Sequence, residues 1–487
     1  MPDPRTVSHR SAARRPAARR PPRLRRLPET RPGTIMRLVK AAIANAEVSL
    51  QGRGATRWRN WAGTQACSPL QIHRPRTEDE IAAIVGSAAI VGERVKAVGS
   101  GHSFNGVALT DGHLLDLRDY ARLLRANRST LRATAQSGMT LARFSRRLFP
   151  RGLAMEDMGD IAYQTVAGAI ATGTHGTGLR YGCLSTQVVG MRLVTADGSV
   201  VECSTEEDPE IFRAARVGVG ALGVISTATF RLEPAFNLHA REQMLPLEEV
   251  IDALDEHVDQ NQHFEFFWTP GSRYAFTKRN NRTARPAQSL AAWRRFRDDV
   301  LLANLAGNAA VQVGRVAPAA GRRMRRLIPS ATREDYVDRS YLVFTSERKV
   351  RFHEMEYFIP REAAREAIGR VRALIERSEQ PISMPIEVRF AAADDIPLSM
   401  CEGRATCSIA VHMRRHEPYE QYFAAVEAVM RDYDGRPHWG KLHFQRASTL
   451  RPLYPQWDRF QQARARVDPN GTFSNEYLDR VLGPVRG

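Results

Sequence analysis

Four short segments carry the residue types that could do chemistry. Val98-Gly99-Ser100-Gly101-His102-Ser103-Phe104-Asn105 sets glycines and hydroxyls around a histidine. Glycine lets a backbone approach a phosphate closely, and successive N–H groups in such a turn form an anion-binding hollow. The spacing is neither the G-x-G-x-x-G of a Rossmann turn nor a P-loop with its Lys-Ser/Thr, so it points to a different dinucleotide fold. A second loop, Gly168-Ala169-Ile170-Ala171-Thr172-Gly173-Thr174-His175-Gly176-Thr177-Gly178, again clusters small residues with hydroxyls able to donate to phosphate or carbonyl oxygens. Either loop alone reads as a tight structural turn; the two together favour a ligand. Glu387 and Arg389 stand two apart in a strand-like run, so both side chains leave on one face, either to meet one ligand or to form a solvated strand surface. His438-Trp439-Gly440-Lys441 offers an imidazole and a cation around a glycine.

The elements that must position these residues are legible in outline. Thr77 to Val91 reads as a helix, with Thr77 as N-cap, Glu80 three residues on as in a capping box, and Ile81, Ile84 and Val85 on one apolar face. Val95 to Val98 is a short buried strand that runs straight into the glycine loop. Leu114 to Leu117 and Leu131 to Gln136 read as further strands, and Thr140 to Phe149 as an amphipathic helix stopped by Pro150. Val188 to Val194 and Val200 to Cys203, joined through Ala196-Asp197-Gly198, predict an antiparallel hairpin, because Asp-Gly accepts the positive φ angles of tight turns. After Glu233-Pro234 the composition changes to an Arg-rich, helix-prone stretch over Ala292 to Arg326, then strands at Val343 to Thr345 and Ile386 to Phe390. The chain closes on returning loops, a turn at Asp468-Pro469-Asn470-Gly471 and a buried segment holding Phe473, Tyr477 and Leu478.

Length and composition set the frame: 487 residues with 43% hydrophobic content are enough for two sizeable domains. No run of about 18 apolar residues suggests a transmembrane helix. The net charge of +18 is partly an appendage, since residues 1 to 33 hold ten arginines against Asp3 and Glu29. That basic segment, over residues 1–35, has too little apolar surface to offset its ordering entropy and is expected to be a disordered tail. Its paired arginines lack the apolar stretch of an export signal. It suits a weak, peripheral attraction to a membrane surface or to nucleic acid, although no specific nucleic-acid signature accompanies it. The odd set Cys67, Cys183, Cys203, Cys401 and Cys407 has no C-x-x-C pair, which fits buried thiols in a cytoplasmic protein rather than disulfides or a zinc site.

Taken with Asn60-Trp61-Ala62-Gly63, Gln164 to Gly178 and Gly220-Ala221-Leu222-Gly223-Val224, these motifs resemble the vanillyl-alcohol-oxidase superfamily of FAD enzymes, in its sugar 1,4-lactone oxidase and alditol oxidase branch. The resemblance implies an α+β fold: a two-subdomain FAD-binding domain of the PCMH type over 58–236, and a C-terminal cap domain with a large antiparallel sheet over 237–487, its final segment returning to the FAD domain. It makes His102 the residue bonded covalently to FAD, with His113 and His175 as poorer alternatives. It places FAD on Val98, Gly99, Ser100, Gly101, His102, Ser103, Phe104 and Asn105, on Gly159, Asp160, Thr165, Gly168, Thr172, Gly173, Thr174 and His175, on Val224 and Ile225 at the adenosine end, and beside His438. Glu387, Arg389 and Lys441 become the catalytic and substrate-binding set, with Lys441 balancing the negative charge that hydride brings to the flavin.

Two positions depart from the alditol-oxidising pattern, where a serine and a threonine meet polyol hydroxyls. Here Asp160 and Arg414 stand instead, so a D-arabinono-1,4-lactone or L-gulono-1,4-lactone type substrate is expected ahead of xylitol or sorbitol. Gly159 leaves room beside the flavin, which favours oxygen as the acceptor over another electron acceptor. The competing class is a nucleic-acid-binding protein acting through the basic tail.

Overall fold

The computed structural model describes residues 57–288, 333–346 and 350–485; the basic tail and the Ala292 to Arg326 stretch lie outside them. Gln71–His73 (β1), Val95–Val98 (β2) and His113–Asp116 (β3) form a parallel sheet in the order β1-β3-β2. Helix α1 (Glu78–Ile90) covers it, burying Ile81, Val85 and Ala88. Thr77 caps α1 by accepting from the Glu80 N–H at 3.2 Å, while the Glu80 carboxylate accepts from Arg76 N at 2.6 Å, one residue before the expected capping-box donor.

A second, antiparallel sheet is built from Leu123–Asn127 (β4), Arg132–Gln136 (β5), Val188–Val194 (β6), Val200–Ser204 (β7) and Val224–Arg231 (β8), in the order β7-β6-β8-β5-β4. The Asp197-Gly198 hairpin forms as its sequence predicts, with Val200 opposite Val194. Helix α2 (Leu141–Leu148) and the short α3 (Val166–Ala171) bury Leu141, Phe144, Leu148, Val166, Ala169 and Ile170 in the core beneath this sheet. α3 opens the second glycine-rich loop.

At Asn237 the architecture changes. Asn237–Pro246 (β9), His263–Trp268 (β10), Tyr274–Thr283 (β11), Arg333–Arg339 (β12), Phe352–Pro360 (β13), Ile386–Ala391 (β14), Thr406–Arg414 (β15) and Arg436–Pro437 (β16) form one eight-stranded antiparallel sheet, ordered β12-β9-β11-β10-β14-β15-β13-β16. Because side chains alternate along a strand, its central strands carry two different faces. Val388 and Phe390 of β14, Ile409, Val411 and Met413 of β15 and Met355, Tyr357 and Ile359 of β13 pack under helices α4 (Ala364–Glu376) and α5 (Glu420–Arg431). The intervening residues, Glu354, Glu356, Glu387, Arg389 and His412, take the opposite face and are buried there too. A sheet with one oily and one charged buried face is the scaffold of the site.

Two local expectations are corrected. Val343 to Thr345 does not form a strand: Ser340–Val343 is a helical turn, with Phe344 N donating to Ser340 O and Thr345 Oγ1 to Tyr341 O. The β-branched run misleads there because the chain leaves the sheet edge to bury Val343 and Phe344 in the other core. The closing region is helical rather than looped, with α6 (Trp457–Val467) and α7 (Glu476–Leu482) burying Phe460, Leu478 and Val481. Four cysteines are buried, Cys67 is partly so, and all five are unpaired. No helix among the described residues is long and apolar enough to cross a membrane.

Candidate functional site

The first glycine loop leaves β2 and is fixed from three directions. Trp61 N donates to Gly101 O at 2.7 Å, Asn60 Nδ2 to Ser103 O at 2.9 Å, and Phe104 N to Gly440 O at 2.7 Å. Its glycines are sterically required: a Cβ on Gly99 would lie 1.9 Å from Thr165 Oγ1, and Gly101 adopts φ +67°. Among the described residues, no protein group accepts from the backbone N–H of Gly99, Ser100, Gly101, His102 or Ser103. Unspent amides beside a cleft are what an anionic ligand needs.

That loop lines a groove shared with Trp58, Lys96, Thr165, Gly168, Thr172, Val219 and Gly220. A second cleft adjoins it and is lined by Gly159, Asp160, Thr174, His175, Glu354, Glu387, Arg389, His412, His438 and Lys441. His102, Ser103, Gln164 and Thr172 border both, so His102 stands at the junction. Its ring stacks on Trp61, with centroids 5.1 Å apart, and burial lowers its pKa to about 4. The imidazole is therefore neutral at ordinary pH and keeps a lone pair for bonding. The two alternative histidines are spent. His175 faces Gly176 O at 2.8 Å and Glu356 at 3.1 Å, and His113 faces His73 at 2.9 Å and Glu93 at 2.6 Å.

The charged face of the large sheet supplies the second cleft. Lys441 Nζ lies 2.5 Å from Glu354 and 2.6 Å from Glu356. Burial alone would lower its pKa, but the two carboxylates outweigh burial and hold it above the usual lysine range. Reciprocally, burial of Glu354 is outweighed by Lys441 and His412, which bring its pKa down to about 2. On the other wall Arg389 donates to Glu265 at 2.6 Å and pairs with Glu387, while Lys278 backs Glu265 at 2.9 Å. Burial of Arg389 is overcome by Glu265 and Glu387, so the guanidinium stays charged. Asp160 accepts from Ser346 Oγ at 2.7 Å. His438 is pushed down to about 3 by burial and by Lys441, and its Nδ1 accepts from Gly440 N at 3.0 Å, leaving Nε2 to carry the proton. Two His/carboxylate groups, His175–Glu356–His438 and Glu354–Glu387–His412, have the spacing of metal ligands, but Lys441 already supplies a cation to Glu354 and Glu356.

The structure thus gathers most of the residues singled out in the sequence. It does not bring four of them to either cleft. Gly173 packs toward Met400, Val224 and Ile225 are buried in β8 opposite Val194 and Leu193, and Arg414 is outside the cavity lining at the end of β15. Val219 and Gly220, a few residues earlier, line the groove where Val224 and Ile225 were expected; the strand itself is core. Asn105 lines the groove but spends its amide on Trp439 O and Lys441 O, at 2.7 and 2.8 Å, so it ties the first loop to the Lys441 segment. Glu265, Glu354, Glu356 and His412 were not anticipated. Their signal was present, because each is a polar residue alternating with apolar ones on a buried strand. Lys278 carried no such signal; its place follows from the cross-strand register with Glu265.

Comparison with known proteins adds the following. Residues 69–204 match a family described as FAD binding domain, and residues 228–481 match the D-arabinono-1,4-lactone oxidase family. The chain is similar to an L-gulono-1,4-lactone dehydrogenase of Mycobacterium tuberculosis, 46% identical over 428 residues that cover 88% of this chain and 99% of the relative. It is also similar to an L-gulonolactone oxidase of Bos taurus, 34% identical over 442 residues covering 89% and 100%. A cholesterol oxidase structure from B. sterolicum superimposes with a TM-score of 0.74, covering 88% of this chain and 96% of that one at 16% identity, which shows a shared fold.

Proposed function

The chain belongs to the D-arabinono-1,4-lactone oxidase family of FAD-binding proteins, and from that premise we propose that it oxidises a CH–OH group of a sugar 1,4-lactone of the L-gulono or D-arabinono type. The observation that carries this reading is the pair of buried cations, Lys441 and Arg389, on walls of a cleft that meets the glycine-loop groove at His102. The unspent amides of Gly99 to Ser103 suit the diphosphate of FAD, and the junction at His102 suits its ring system. Bound FAD supplies the acceptor for the hydride leaving the substrate carbon. Arg389, Glu387 and Asp160 offer the donors and acceptors that orient lactone hydroxyls, the Nε2–H of His438 adds a neutral donor, and Lys441 stabilises negative charge as the hydroxyl loses its proton. Anaerobic mixing with L-gulono-1,4-lactone and D-arabinono-1,4-lactone is expected to bleach the flavin absorbance; a spectrum unchanged by either lactone would sink the assignment.

Neutral His102, with both rival histidines engaged, supports a covalent link to FAD through His102. After acid denaturation and electrophoresis, yellow fluorescence is expected to stay with the polypeptide and to disappear in His102→Ala. A colourless wild-type band would rule the link out.

For reoxidation by oxygen, with hydrogen peroxide as product, the support is Gly159. Gly159 lines the second cleft, and a Cβ there would lie 2.8 Å from Thr174 Cγ2 and 3.1 Å from His175 O, so alanine would force the second glycine loop to shift at the cleft wall. A second reading, reoxidation by another acceptor, is favoured by the dehydrogenase name of the 46% identical relative. Gly159→Ala is expected to lower peroxide formation by about tenfold or more while dye reduction persists, a change of about 1.4 kcal/mol in the barrier to oxygen. Dye reduction without peroxide in the wild type would decide for the second reading.

A further inference from the structure

Among the described lysines, Lys278 and Lys441 are paired with carboxylates and Lys96 is not, and Lys96 is inside. The residue is 2% exposed in the middle of β2, three positions before Gly99, and it lines the groove beside Gly220. Its Nζ donates to Gly220 O at 3.1 Å and to Phe473 O at 3.0 Å. An ammonium has three N–H groups. The two carbonyls take two, and no described residue accepts the third or makes a salt bridge with Nζ. The charged groups around it belong to the closing segment. Arg464 of α6 repels it, while Asp468 and Asp479 attract it from beyond ion-pair distance. These neighbours are themselves occupied: Arg464 donates to Gly483 O and Ser474 Oγ, and Asp468 accepts from Thr472 N and Phe473 N. Burying a lysine without a counter-ion is costly, and a merely structural tie between two carbonyls needs no charge.

We propose that Lys96 is a ligand for the diphosphate of the dinucleotide, its third N–H completing the cradle that the Gly99 to Ser103 amides begin. This rests on the reading of the groove as the FAD site. Burial, reinforced by Arg464 and opposed by Asp468 and Asp479, brings the lysine down to about 7. An arriving diphosphate would raise it again, so binding takes up a proton around neutral pH. The sign follows: affinity is greatest below the free lysine's pKa and falls as pH rises through it. The diphosphate diester of FAD keeps a constant charge over this range, so the ligand contributes no titration of its own.

The test uses the full chain in a His102→Ala background, so that flavin exchanges freely, with FAD removed and rebound while flavin fluorescence is followed from about pH 6 to about pH 8.5. FAD affinity is expected to fall about tenfold or more across that range. Lys96→Arg should hold near the acid-side affinity throughout. Lys96→Met should be pH-independent and about tenfold or more weaker than the parent at acid pH. Riboflavin, which lacks the diphosphate, should bind all three alike. A flat parent profile, or a Lys96→Met chain that binds FAD as tightly as the parent, overturns the proposal. So does an equal loss for FAD and riboflavin, which would make Lys96 a support of the groove wall. If Lys96→Met does not fold, the parent and Lys96→Arg profiles still decide. A parent chain that binds no FAD at any pH would instead overturn the flavin reading itself, and the proposal with it.

Discussion

Lys441→Met is expected to slow reduction of the flavin by lactone by about 10²- to 10³-fold, while the flavin stays bound. The ammonium does two things at once. It faces the substrate cleft, and it neutralises Glu354 and Glu356 from 2.5 and 2.6 Å. Methionine keeps the length of the side chain and removes the charge, so two carboxylates are left buried side by side. Breaking a buried pair from one side costs about 3–5 kcal/mol, and the variant should also melt at a lower temperature. Acid titration separates the two effects. Glu354 is held at about 2, below the ordinary 4.5, so its contribution to stability is complete above about pH 4.5 and is lost as pH falls toward 2. Removing Lys441 takes away the largest force holding it down, and the acid limb of the stability curve should move to higher pH. Adding Glu356→Gln to Lys441→Met should restore part of the stability but none of the reduction rate. Restoration of the rate would show that Lys441 acts only as a counter-ion; stopped-flow absorbance and thermal melts read the two outcomes.

The second large effect is expected at Arg389. Arg389→Met should lower kcat/KM for lactone by about 10²- to 10⁴-fold, the loss of one or two charge-assisted hydrogen bonds in a dry site. It should leave flavin content unchanged, because Arg389 lines the second cleft and not the glycine-loop groove. Arg389→Lys is expected to recover little, since an ammonium cannot reach Glu265 and Glu387 while also forking onto a substrate. Steady-state kinetics beside the flavin-to-protein absorbance ratio make the check. An Arg389→Met enzyme that loses its flavin along with its activity would place the residue in the cofactor site instead.

The parts of this site that could be read in the sequence are those where backbone geometry limits residue choice. Gly99 and Gly101 cannot carry ordinary side chains where they sit, Asp197-Gly198 selects its turn, and Thr77 marks the start of α1; each leaves a local signature. Glu387 and Arg389 were legible because their spacing of two matches the strand period, although spacing alone left open a solvated face, and the resemblance of the surrounding motifs weighted the choice. Glu265, Lys278, Glu354, Glu356 and His412 come together only through register. Glu354 stands opposite His412 across strands well separated in the chain, while Glu265 and Lys278 face each other across two consecutive strands. The alternation along each strand shows in the sequence, but which polar residue faces which is set by the register of the packed strands. The misreadings have the same origin. Val343 to Thr345 has strand-like residues in a turn that docks on a distant core, and the closing region forms helices that pack there too.

The segment from Asp468 to Leu482 has a temporal consequence. Thr472 O receives Val95 N, Phe473 O receives Lys96, and Asn475 Nδ2 donates to the carbonyls of Gly106 and Leu109. The strand that launches the first glycine loop is thus braced by residues up to 377 positions later. Contacts at such separation close late, because the whole intervening chain must first be gathered. On the ribosome, the first glycine loop emerges long before its brace has been synthesised. A molecule whose last helices have not yet docked lacks the carbonyls and the amide that hold this strand and the segment after its loop in place.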